Sequence, residues 1–280
     1  MSVKKFAVIG HPIGHTMSPF IHNRLFELSG VDAEYGVIDV APENIVNDYN
    51  NILKSLDGYN ITIPHKQAII PLLDDIDSKA KMYGSVNTVA NRDGMATGYT
   101  TDPDGFLKAL EYAGIPLDGR VVVLGCGGVA RTFAYEVLLK GAPLEFAIRA
   151  EDREMVEKLI SEINSTLDAP KVSYCTIPEL SGDITTLINA TPIGMSPKAD
   201  AQPVSDEVIA KSANVFDAVY NPLETVLIKK AKANGSCAQG GMSMLVWQAV
   251  VSHYHWDGST YNADDIERLC LDAAEELMNR

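Results

Sequence analysis

Residues 120–141 read RVVVLGCGGVARTFAYEVLLKG. Val121–Leu124 is a continuous apolar run of the kind found in strands buried on both faces of a helix-covered parallel sheet. Gly125–Ala130 follows with the spacing G-x-G-x-x-A, and the next dozen residues read as a helix ending at Gly141. Glycines at such a turn let a ligand approach the backbone, and the helix N-terminus favours an anion. The stretch predicts a dinucleotide-binding domain, although glycine also serves any tight strand-to-helix turn.

Length and composition indicate an ordinary globular protein. The chain has 280 residues, of which 46% are hydrophobic and 21% charged, and two domains are the natural expectation at this length. With 23 Lys and Arg against 37 Asp and Glu, the net charge is −14. This acidic balance argues against nucleic acid or an anionic membrane as a partner, so an anionic small-molecule substrate would have to meet a local basic pocket. No apolar run is long enough to span a bilayer or to form a signal peptide.

The cysteines and histidines give no metal or disulfide pattern. The four cysteines are far apart and form no C-x-x-C pair, which favours a cytoplasmic location: Cys126, Cys175, Cys237 and Cys270. His253 and His255 lie near a predicted helix end without an obvious third ligand, so we expect no metal site. Cys126, inside the glycine turn, is expected to be a packed thiol.

The first hundred residues alternate between strand and helix patterns. Strands are predicted at Phe6–Ile9, 34–39 and Tyr59–Ile63, separated by helices, which indicates a mainly parallel sheet. Ser18 is expected to be the N-cap of the first helix, with a proline following it. Ligands bind beyond the carboxyl ends of parallel strands, and four polar residues fall at that edge: Thr16, Ser18, Thr62 and Lys66.

Two alternatives concern Lys66 and Asp102. Residues 67–82 read as mostly helical, with Pro71 breaking or starting the helix, and 87–99 read as a hairpin turning at residues 92–94. Asp102 then begins a helix, and its side chain alone is best explained as the helix cap. Lys66 alone is best explained as a solvated surface charge. If the two are close, Asp102 would favour the ammonium form of Lys66, whereas desolvation would lower the lysine pKa.

A second α/β series follows residue 114, with further strands predicted at 144–148, 172–177, 185–190 and 215–219.

A nicotinamide-dependent reaction of an alcohol or ketone needs a side chain that moves one proton, and Lys66 is the candidate. Several uncharged groups would together suit a small polyhydroxylated acid, although each alone also fits capping or turn chemistry: Thr16, Ser18, Thr62, Asn87, Thr101, Tyr220 and Gln248.

Eight blocks between residues 11 and 249 resemble, in order and spacing, the signature blocks of the shikimate dehydrogenase family. They are HPIGHTMSPFIHN (11–23), NITIPHK (60–66), GSVNTV (84–89), GYTTDPDGF (98–106), LGCGGVAR (124–131), NATPIGM (189–195), DAVYNPLETVLIKKAKANG (217–235) and GGMSMLVWQA (240–249). The resemblance implies reversible NADPH-dependent reduction of 3-dehydroshikimate to shikimate, in the pathway to aromatic amino acids.

The resemblance also implies an architecture of two α/β domains with a cleft between them. Residues 1–103 would form a substrate-binding and catalytic domain with a mainly parallel sheet, completed by the C-terminal helices of 242–280. Residues 104–241 would form a Rossmann-like NADP-binding domain. The oligomeric state stays open between monomer and homodimer.

Matching positions carry the family's functional residues onto this chain. Lys66 and Asp102 would be the catalytic pair, with Lys66 handling the proton at the reacting oxygen. Thr16 and Ser18 would hold the substrate carboxylate. The other substrate contacts would be Thr62, Asn87, Tyr220 and Gln248. The cofactor positions would be Gly125, Gly127, Gly128, Ala130, Arg131, Thr191, Gly241 and Met244, the last two near the nicotinamide.

The chain departs from the family pattern at three places. Thr16 replaces a serine, Thr100 replaces an asparagine, and Ile148-Arg149-Ala150 replaces N-R-T, which weakens the expected 2′-phosphate site without removing its arginine. The first two leave quinate, with an NAD-dependent quinate or quinate/shikimate dehydrogenase, as the alternative substrate and activity. A non-catalytic dinucleotide sensor is a remote alternative, against which the retained Lys66 and Asp102 argue.

The choice of cofactor depends on the second strand of the glycine-loop domain. Spacing alone would select Glu145 as the acid that binds an NAD ribose, but Glu145 lies early in the strand, away from its carboxyl end. Arg149 stands at that end with Arg153 one helical turn further, and two planar cations could hold a 2′-phosphate. We therefore expect NADP, with NAD possible because Glu151 and Asp152 are adjacent.

Overall fold

The computed structural model describes residues 3–14, 16–168 and 171–280. The chain divides into two compact units: unit 1 is Met1–Gly105 with Val246–Arg280, and unit 2 is Phe106–Leu245. The strands are β1 Lys4–Gly10, β2 Ala33–Asp39, β3 Gly58–Ile61, β4 Asp75–Ile76, β5 Thr88–Arg92, β6 Met95–Tyr99, β7 Val121–Leu124, β8 Leu144–Ile148, β9 Val172–Thr176, β10 Ile184–Asn189, β11 Ser212–Asp217 and β12 Cys237–Gly240. The helices are α1 Ser18–Ser29, α2 Ile45–Asn51, α3 His65–Ala68, α4 Ser78–Tyr83, α5 Asp102–Ala113, α6 Gly128–Leu139, α7 Arg153–Thr166, α8 Asp206–Ala210, α9 Val226–Ala233, α10 Met242–Asp257 and α11 Ala263–Met278.

Unit 2 is a doubly wound α/β fold. Its six strands are all parallel and lie in the order β12-β11-β10-β7-β8-β9. The strand order reverses between β7 and β10, which is the switch point where such sheets bind ligands beyond the strands' carboxyl ends. All four residues of β7 are buried, as the apolar run predicts. Phe106, Phe133 and Phe216 pack together in the core, with ring centroids 4.1–5.9 Å apart. The predicted α/β fold class is confirmed.

Unit 1 contains a mixed six-stranded sheet in the order β2-β1-β3-β5-β6-β4. Pairs β1–β2, β1–β3 and β4–β6 are parallel, whereas β3–β5 and β5–β6 are antiparallel. Strands β5 and β6 form the predicted hairpin. Trp256 of α10 anchors that helix on the sheet: its Nε1 donates to the Val89 oxygen at 2.9 Å, and a Cβ on Gly58 would lie 2.5 Å from Nε1.

One local prediction in unit 1 holds only in part and another is wrong. Residues 67–82 are partly helical and interrupted near Pro71, because α3 gives way to a 3₁₀ turn at Ile70–Leu72 and β4 separates that turn from α4. Asp74 exchanges hydrogen bonds with Ala96 of β6, so pairing with the sheet overrides the local helical preference. Ser18 is not an N-cap, because Met17 occupies that position and α1 begins at Ser18.

Among the described residues, no helix is both long and apolar enough to cross a membrane.

Candidate active site

Lys66 and Asp102 come together at one edge of the unit 1 sheet. Lys66 lies in α3, which closely follows β3, and Asp102 is the first residue of α5, which closely follows β6. Lys66 Nζ donates to Asp102 Oδ2 at 2.6 Å, and the two side chains are 27% and 19% exposed. The pair is therefore shielded enough to resist screening by salt, and still accessible to a small ligand.

Asn87 fixes the second oxygen of the Asp102 carboxylate. The buried Asn87 amide donates to Asp102 Oδ1 at 2.8 Å and to Thr101 Oγ1 at 3.0 Å, while its own oxygen accepts from the Thr101 amide at 2.8 Å. Both carboxylate oxygens thus have a side-chain donor. The Asp102 side chain is therefore better explained by its ion pair with Lys66 and its hydrogen bond from Asn87 than as a helix cap. The fold brings these three residues together from separate segments.

A buried polar network lies behind this pair, and the sequence interpretation missed most of it. Ser252 of α10 bonds to Thr88 Oγ1 at 2.8 Å and accepts from Asn60 Nδ2 at 3.0 Å. Gln248 accepts a longer bond, 3.4 Å, from the Thr101 hydroxyl. The available signal was the polar residues Asn60 and Thr88 inside otherwise apolar strands, where a buried polar group needs a partner.

The predicted carboxylate-binding hydroxyls lie together at the start of α1. Thr16 Oγ1 is 3.1 Å from Ser18 Oγ and accepts from the Ser18 amide at 3.1 Å, and both residues are partly exposed. Thr62 follows β3 directly and is also partly exposed. A guanidinium group that the sequence interpretation missed reaches this loop, since Arg280 Nη1 donates to the Thr16 carbonyl at 2.9 Å.

The glycine turn of unit 2 leaves open space over the N-terminus of α6. Gly125 has φ +89°, and a Cβ there would meet the Thr191 methyl group at 2.9 Å. Gly127 is the N-cap of α6, and a Cβ on Gly127 or Gly128 would have no atom of the described residues within 4 Å. Packing therefore explains Gly125, whereas a bound group close to the backbone would explain the other two. A pyrophosphate at this helix N-terminus fits that space.

A buried carboxylate, that of Asp217, accepts hydrogen bonds from residues at and after the ends of β10 and β11. Asp217 accepts from Thr225 Oγ1 at 2.6 Å, Asn189 Nδ2 at 2.9 Å and the Val219 amide at 3.0 Å, and burial raises its pKa. Asn189 in turn accepts from the Thr191 hydroxyl at 2.7 Å. These contacts position Thr191 beside the glycine turn.

The two residues considered for binding the cofactor's ribose or its 2′-phosphate, Glu145 and Arg149, lie near opposite ends of β8. Glu145 is paired with Arg120 at 2.6 Å, near the amino end of β8, so the role that spacing alone would give it does not match its position. Arg149 directly follows β8 and its side chain is 61% exposed. Its guanidinium donates twice to the Asp152 carboxylate, at 2.8 and 2.9 Å. Arg153, the first residue of α7, is exposed.

Other predicted positions in unit 2 have structural partners of their own. The Arg131 guanidinium bonds to Glu162 of α7 and lies 5.5 Å from the Tyr135 ring centroid, so its cofactor role stays a prediction. A Cβ on Gly241 would lie 2.3 Å from the Ala218 oxygen, so close backbone packing requires glycine there. The remaining positions also lie in unit 2, and their predicted roles stay predictions: buried Ala130, and partly exposed Tyr220 and Met244.

Comparison with known proteins identifies the family. Residues 8–89 match the model described as shikimate dehydrogenase substrate binding domain. The chain is 38% identical over 268 residues to shikimate dehydrogenase (NADP(+)) of Caldanaerobacter subterraneus subsp. tengcongensis, covering 94% of this chain and 95% of that protein. The chain belongs to the shikimate dehydrogenase family. The Methanocaldococcus jannaschii member of that name is likewise 38% identical, over 274 residues and 96% of both chains.

A solved member of the family has the same fold throughout. Shikimate 5-dehydrogenase from Thermus thermophilus, in complex with NADP(H) and shikimate, superposes with a TM-score of 0.86 at 30% identity, covering 97% of this chain and 100% of that one. The likeness thus extends over both units, beyond the residues matched by the family model.

Thr100, one of the departures from the family pattern, is buried, and its hydroxyl oxygen has no hydrogen-bond partner among the described residues. Cys126 is buried, and burial, followed by the nearby charge of Asp152, raises the pKa of its thiol, as expected of a packed cysteine. The described part of the chain contains no cluster of three or more His, Cys, Asp or Glu that could hold a metal ion.

Proposed function

We propose that this protein is a shikimate dehydrogenase that interconverts shikimate and 3-dehydroshikimate with NADP(H), in aromatic amino acid biosynthesis. The observation that carries the proposal is the Lys66–Asp102 ion pair, held by Asn87 at the sheet edge in a chain of this family. Unit 1 would bind the substrate and unit 2 the dinucleotide, whose pyrophosphate fits the space over Gly127 and Gly128.

The chain's own residues supply the proton chemistry and the orientation of the substrate. NADP(H), when bound, accepts or donates the hydride. During reduction the Lys66 ammonium group would donate a proton to the reacting oxygen and become a neutral amine, and during oxidation that amine would take the proton from the reacting hydroxyl. Asp102 would keep the ammonium group in place and hydrogen-bond the substrate, while Thr16 and Ser18 would donate to its carboxylate. The remaining contacts would come from Thr62, Asn87, Tyr220 and Gln248.

The cofactor assignment rests on the unit 2 residues at the carboxyl edge of its sheet. The open space over the α6 N-terminus would accommodate a pyrophosphate, and Arg149 follows the strand end at which an adenosine ribose with a 2′-phosphate would be bound. Thr191 lies beside the glycine turn, and Gly241 and Met244 would face the nicotinamide.

A four-way assay tests the proposal. Initial rates of oxidation are measured with shikimate and with quinate, each with NADP⁺ and with NAD⁺, from the appearance of the reduced cofactor. We expect the highest kcat/KM for shikimate with NADP⁺. A higher kcat/KM for quinate with NAD⁺ would replace the proposal by a quinate dehydrogenase, and absence of hydride transfer in all four arms would favour the dinucleotide sensor.

The quinate alternative is favoured by two departures from the family pattern. Thr16 adds a methyl group to the loop expected to hold the substrate carboxylate, and the buried Thr100 hydroxyl replaces the family's asparagine two residues before Asp102. Either change could alter how an extra substrate hydroxyl is accommodated. The ratio of kcat/KM for the two acids measures this directly.

The proposed setting is the cytoplasm, where small metabolites and NADP(H) are available. All four cysteines are free, in accord with a reducing compartment. Both a monomer and a homodimer are compatible with the proposal, and light scattering on the purified protein distinguishes them.

A further inference from the structure

The cation expected to read the cofactor's 2′-phosphate is already engaged within the chain. Arg149 Nε and Nη2 donate to the two oxygens of Asp152 at 2.8 and 2.9 Å, and Arg149 Nη1 lies 3.3 Å from Glu151 Oε1. The bidentate geometry is the one by which a guanidinium group holds a carboxylate or a phosphate most strongly. The same N–H donors therefore cannot bind a phosphate without releasing Asp152.

The burial of the two partners indicates which of them stays in place. The Asp152 side chain is 17% exposed, whereas that of Arg149 is 61% exposed. Asp152 also lies near the glycine turn, since its backbone oxygen is 4.0 Å from the Cys126 thiol sulfur. A 2′-phosphate that binds Arg149 would thus lie close to the less exposed carboxylate of Asp152, and two negative charges held by one guanidinium group repel each other.

We propose that Asp152 is a cofactor-specificity residue, whose carboxylate competes with the 2′-phosphate of NADP for Arg149 and so narrows the preference for NADP over NAD. The inference rests on the proposed function, since it assumes that unit 2 binds the dinucleotide at its glycine turn. It goes beyond the proposed function by naming a residue, Asp152, that weakens the binding of the 2′-phosphate to Arg149.

The folding role of Asp152 is small enough for substitution. Asp152 occupies the N-cap position of α7 but makes no side-chain hydrogen bond to the helix backbone. Asp152→Asn therefore removes the charge without removing a capping bond. Asp152→Ser gives a second variant with a residue well suited to an N-cap, so the test does not depend on one substitution.

The experiment measures binding of two nucleotides that differ only in the 2′-phosphate. Dissociation constants for adenosine 2′,5′-bisphosphate and for 5′-AMP are determined by calorimetry on the full-length protein and its variants. We expect Asp152→Asn and Asp152→Ser to raise the ratio of the AMP constant to the bisphosphate constant about tenfold, through tighter bisphosphate binding. Glu151→Gln removes the same charge one residue away, where the side chain is 65% exposed, and should change the ratio by less than about twofold.

A double variant decides whether the effect passes through Arg149. In the Arg149→Ala background, Asp152→Asn should no longer change the ratio, and a gain that persists there would overturn the competition for Arg149. An unchanged ratio in Asp152→Asn would also overturn the proposal, and a lower one would mean that Asp152 holds Arg149 ready for the phosphate. Because nucleotide binding is read without turnover, a protein that shows the shift but does not oxidise shikimate would contradict the proposed activity and leave this inference standing.

Discussion

The Asp102 carboxylate has a different donor on each oxygen, Lys66 on Oδ2 and Asn87 on Oδ1. This arrangement fixes the plane of the carboxylate and, through it, the position of the ammonium group. An ammonium group carries three donors, so two remain for a substrate oxygen after the bond to Asp102 is made. The ammonium group can thus donate a proton to a substrate oxygen, and the amine that remains can take the proton back, while an N–H of Lys66 stays bonded to Asp102.

Removal of Lys66 tests this assignment. We expect Lys66→Ala to lower kcat for shikimate oxidation by at least about 100-fold, because the proton at the reacting oxygen loses its acceptor. The dissociation constant for NADP⁺ should stay within about twofold, since Lys66 lies in unit 1. Lys79 offers a matched control, as it pairs with Asp104 of the same unit at 2.7 Å and is more exposed. If Lys66→Ala and Lys79→Ala reduced kcat equally, Lys66 would have no special role.

Arg280 is the residue whose effect on the substrate we expect to be electrostatic. Its guanidinium group donates to the Thr16 carbonyl and to Glu276, next to the hydroxyls proposed to hold the substrate carboxylate. In a chain of net charge −14, a local cation should attract an anionic substrate. Arg280→Gln should therefore raise KM for shikimate about threefold to fivefold with kcat unchanged.

Arg24 provides the comparison for that prediction. Arg24 is an exposed arginine of α1. Its guanidinium group donates to Glu27 and Asp272, whereas that of Arg280 donates to the Thr16 carbonyl. Arg24→Gln removes the same charge and should leave KM within about twofold. The KM of the wild type should rise with ionic strength more steeply than that of Arg280→Gln. Equal KM values for both variants at low salt would show that Arg280 has no particular effect on the substrate.

At the scale of elements, the sequence predicts best where a structure depends on neighbours in the chain. The strand, turn and helix around Gly125–Ala130 lie where the local pattern places them. Residues 67–82 do not, because their hydrogen bonds to β6 come from residues beyond any local window. The ion pair is similar: local statistics favour Asp102 as a cap, and only the fold brings Lys66 and Asn87 to its carboxylate. Arg280 and Ser252 carried no local signal at all.

Two neighbouring glycines of the turn before α6 should respond differently to the same substitution. Gly127 has φ −79° and open space where a Cβ would point, so Gly127→Ala should leave the thermal midpoint within about 2 °C of the wild type. The added methyl group would occupy the space proposed for the pyrophosphate. We expect NADP⁺ binding, measured by calorimetry, to weaken at least about tenfold.

Gly125→Ala is the paired experiment on the same turn. The positive φ and the 2.9 Å approach to Thr191 make alanine strained there, so this variant should lose about 1–2 kcal/mol of unfolding free energy. A Gly127→Ala protein that binds NADP⁺ normally would remove the pyrophosphate from this turn. A Gly125→Ala protein as stable as the wild type would show that the turn adapts.

At the scale of the whole molecule, stability is linked to pH through two buried histidines of unit 1. His22 Nδ1 and His253 Nε2 lie 3.0 Å apart, and His253 Nδ1 is 2.7 Å from the Tyr261 hydroxyl. His22 stacks on Tyr35, and its Nε2 is buried with no partner among the described residues. Burial lowers the pKa of His253 to about 3, and burial together with the neighbouring His253 lowers the pKa of His22 well below its usual value.

The sign of the effect follows from these lowered values. Above pH about 6.5 both histidines are neutral in the folded and unfolded chains, and stability does not depend on them. Below it the unfolded chain takes up protons that the folded chain excludes, so stability falls as the pH falls. Each histidine that stays neutral should cost about 1.4 kcal/mol per pH unit, or about 2 kcal/mol by pH 5. The carboxylates of unit 1 contribute little in this window because their usual pKa values lie lower, and Asp217, whose pKa burial raises, belongs to unit 2.

Urea unfolding between pH 7.5 and 5 at constant ionic strength measures this loss. Both tryptophans of the chain, Trp247 and Trp256, belong to unit 1, so their fluorescence reports the unit that contains the histidine pair. His253→Gln keeps a hydrogen-bonding group beside His22 without a titrating ring. Because burial also lowers the pKa of His255 in the same unit, the variant should reduce the pH-dependent loss by about a third to a half, even if it lowers stability at pH 7.5. Parallel curves for the variant and the wild type would show that the buried histidines do not set the acid limit of this protein.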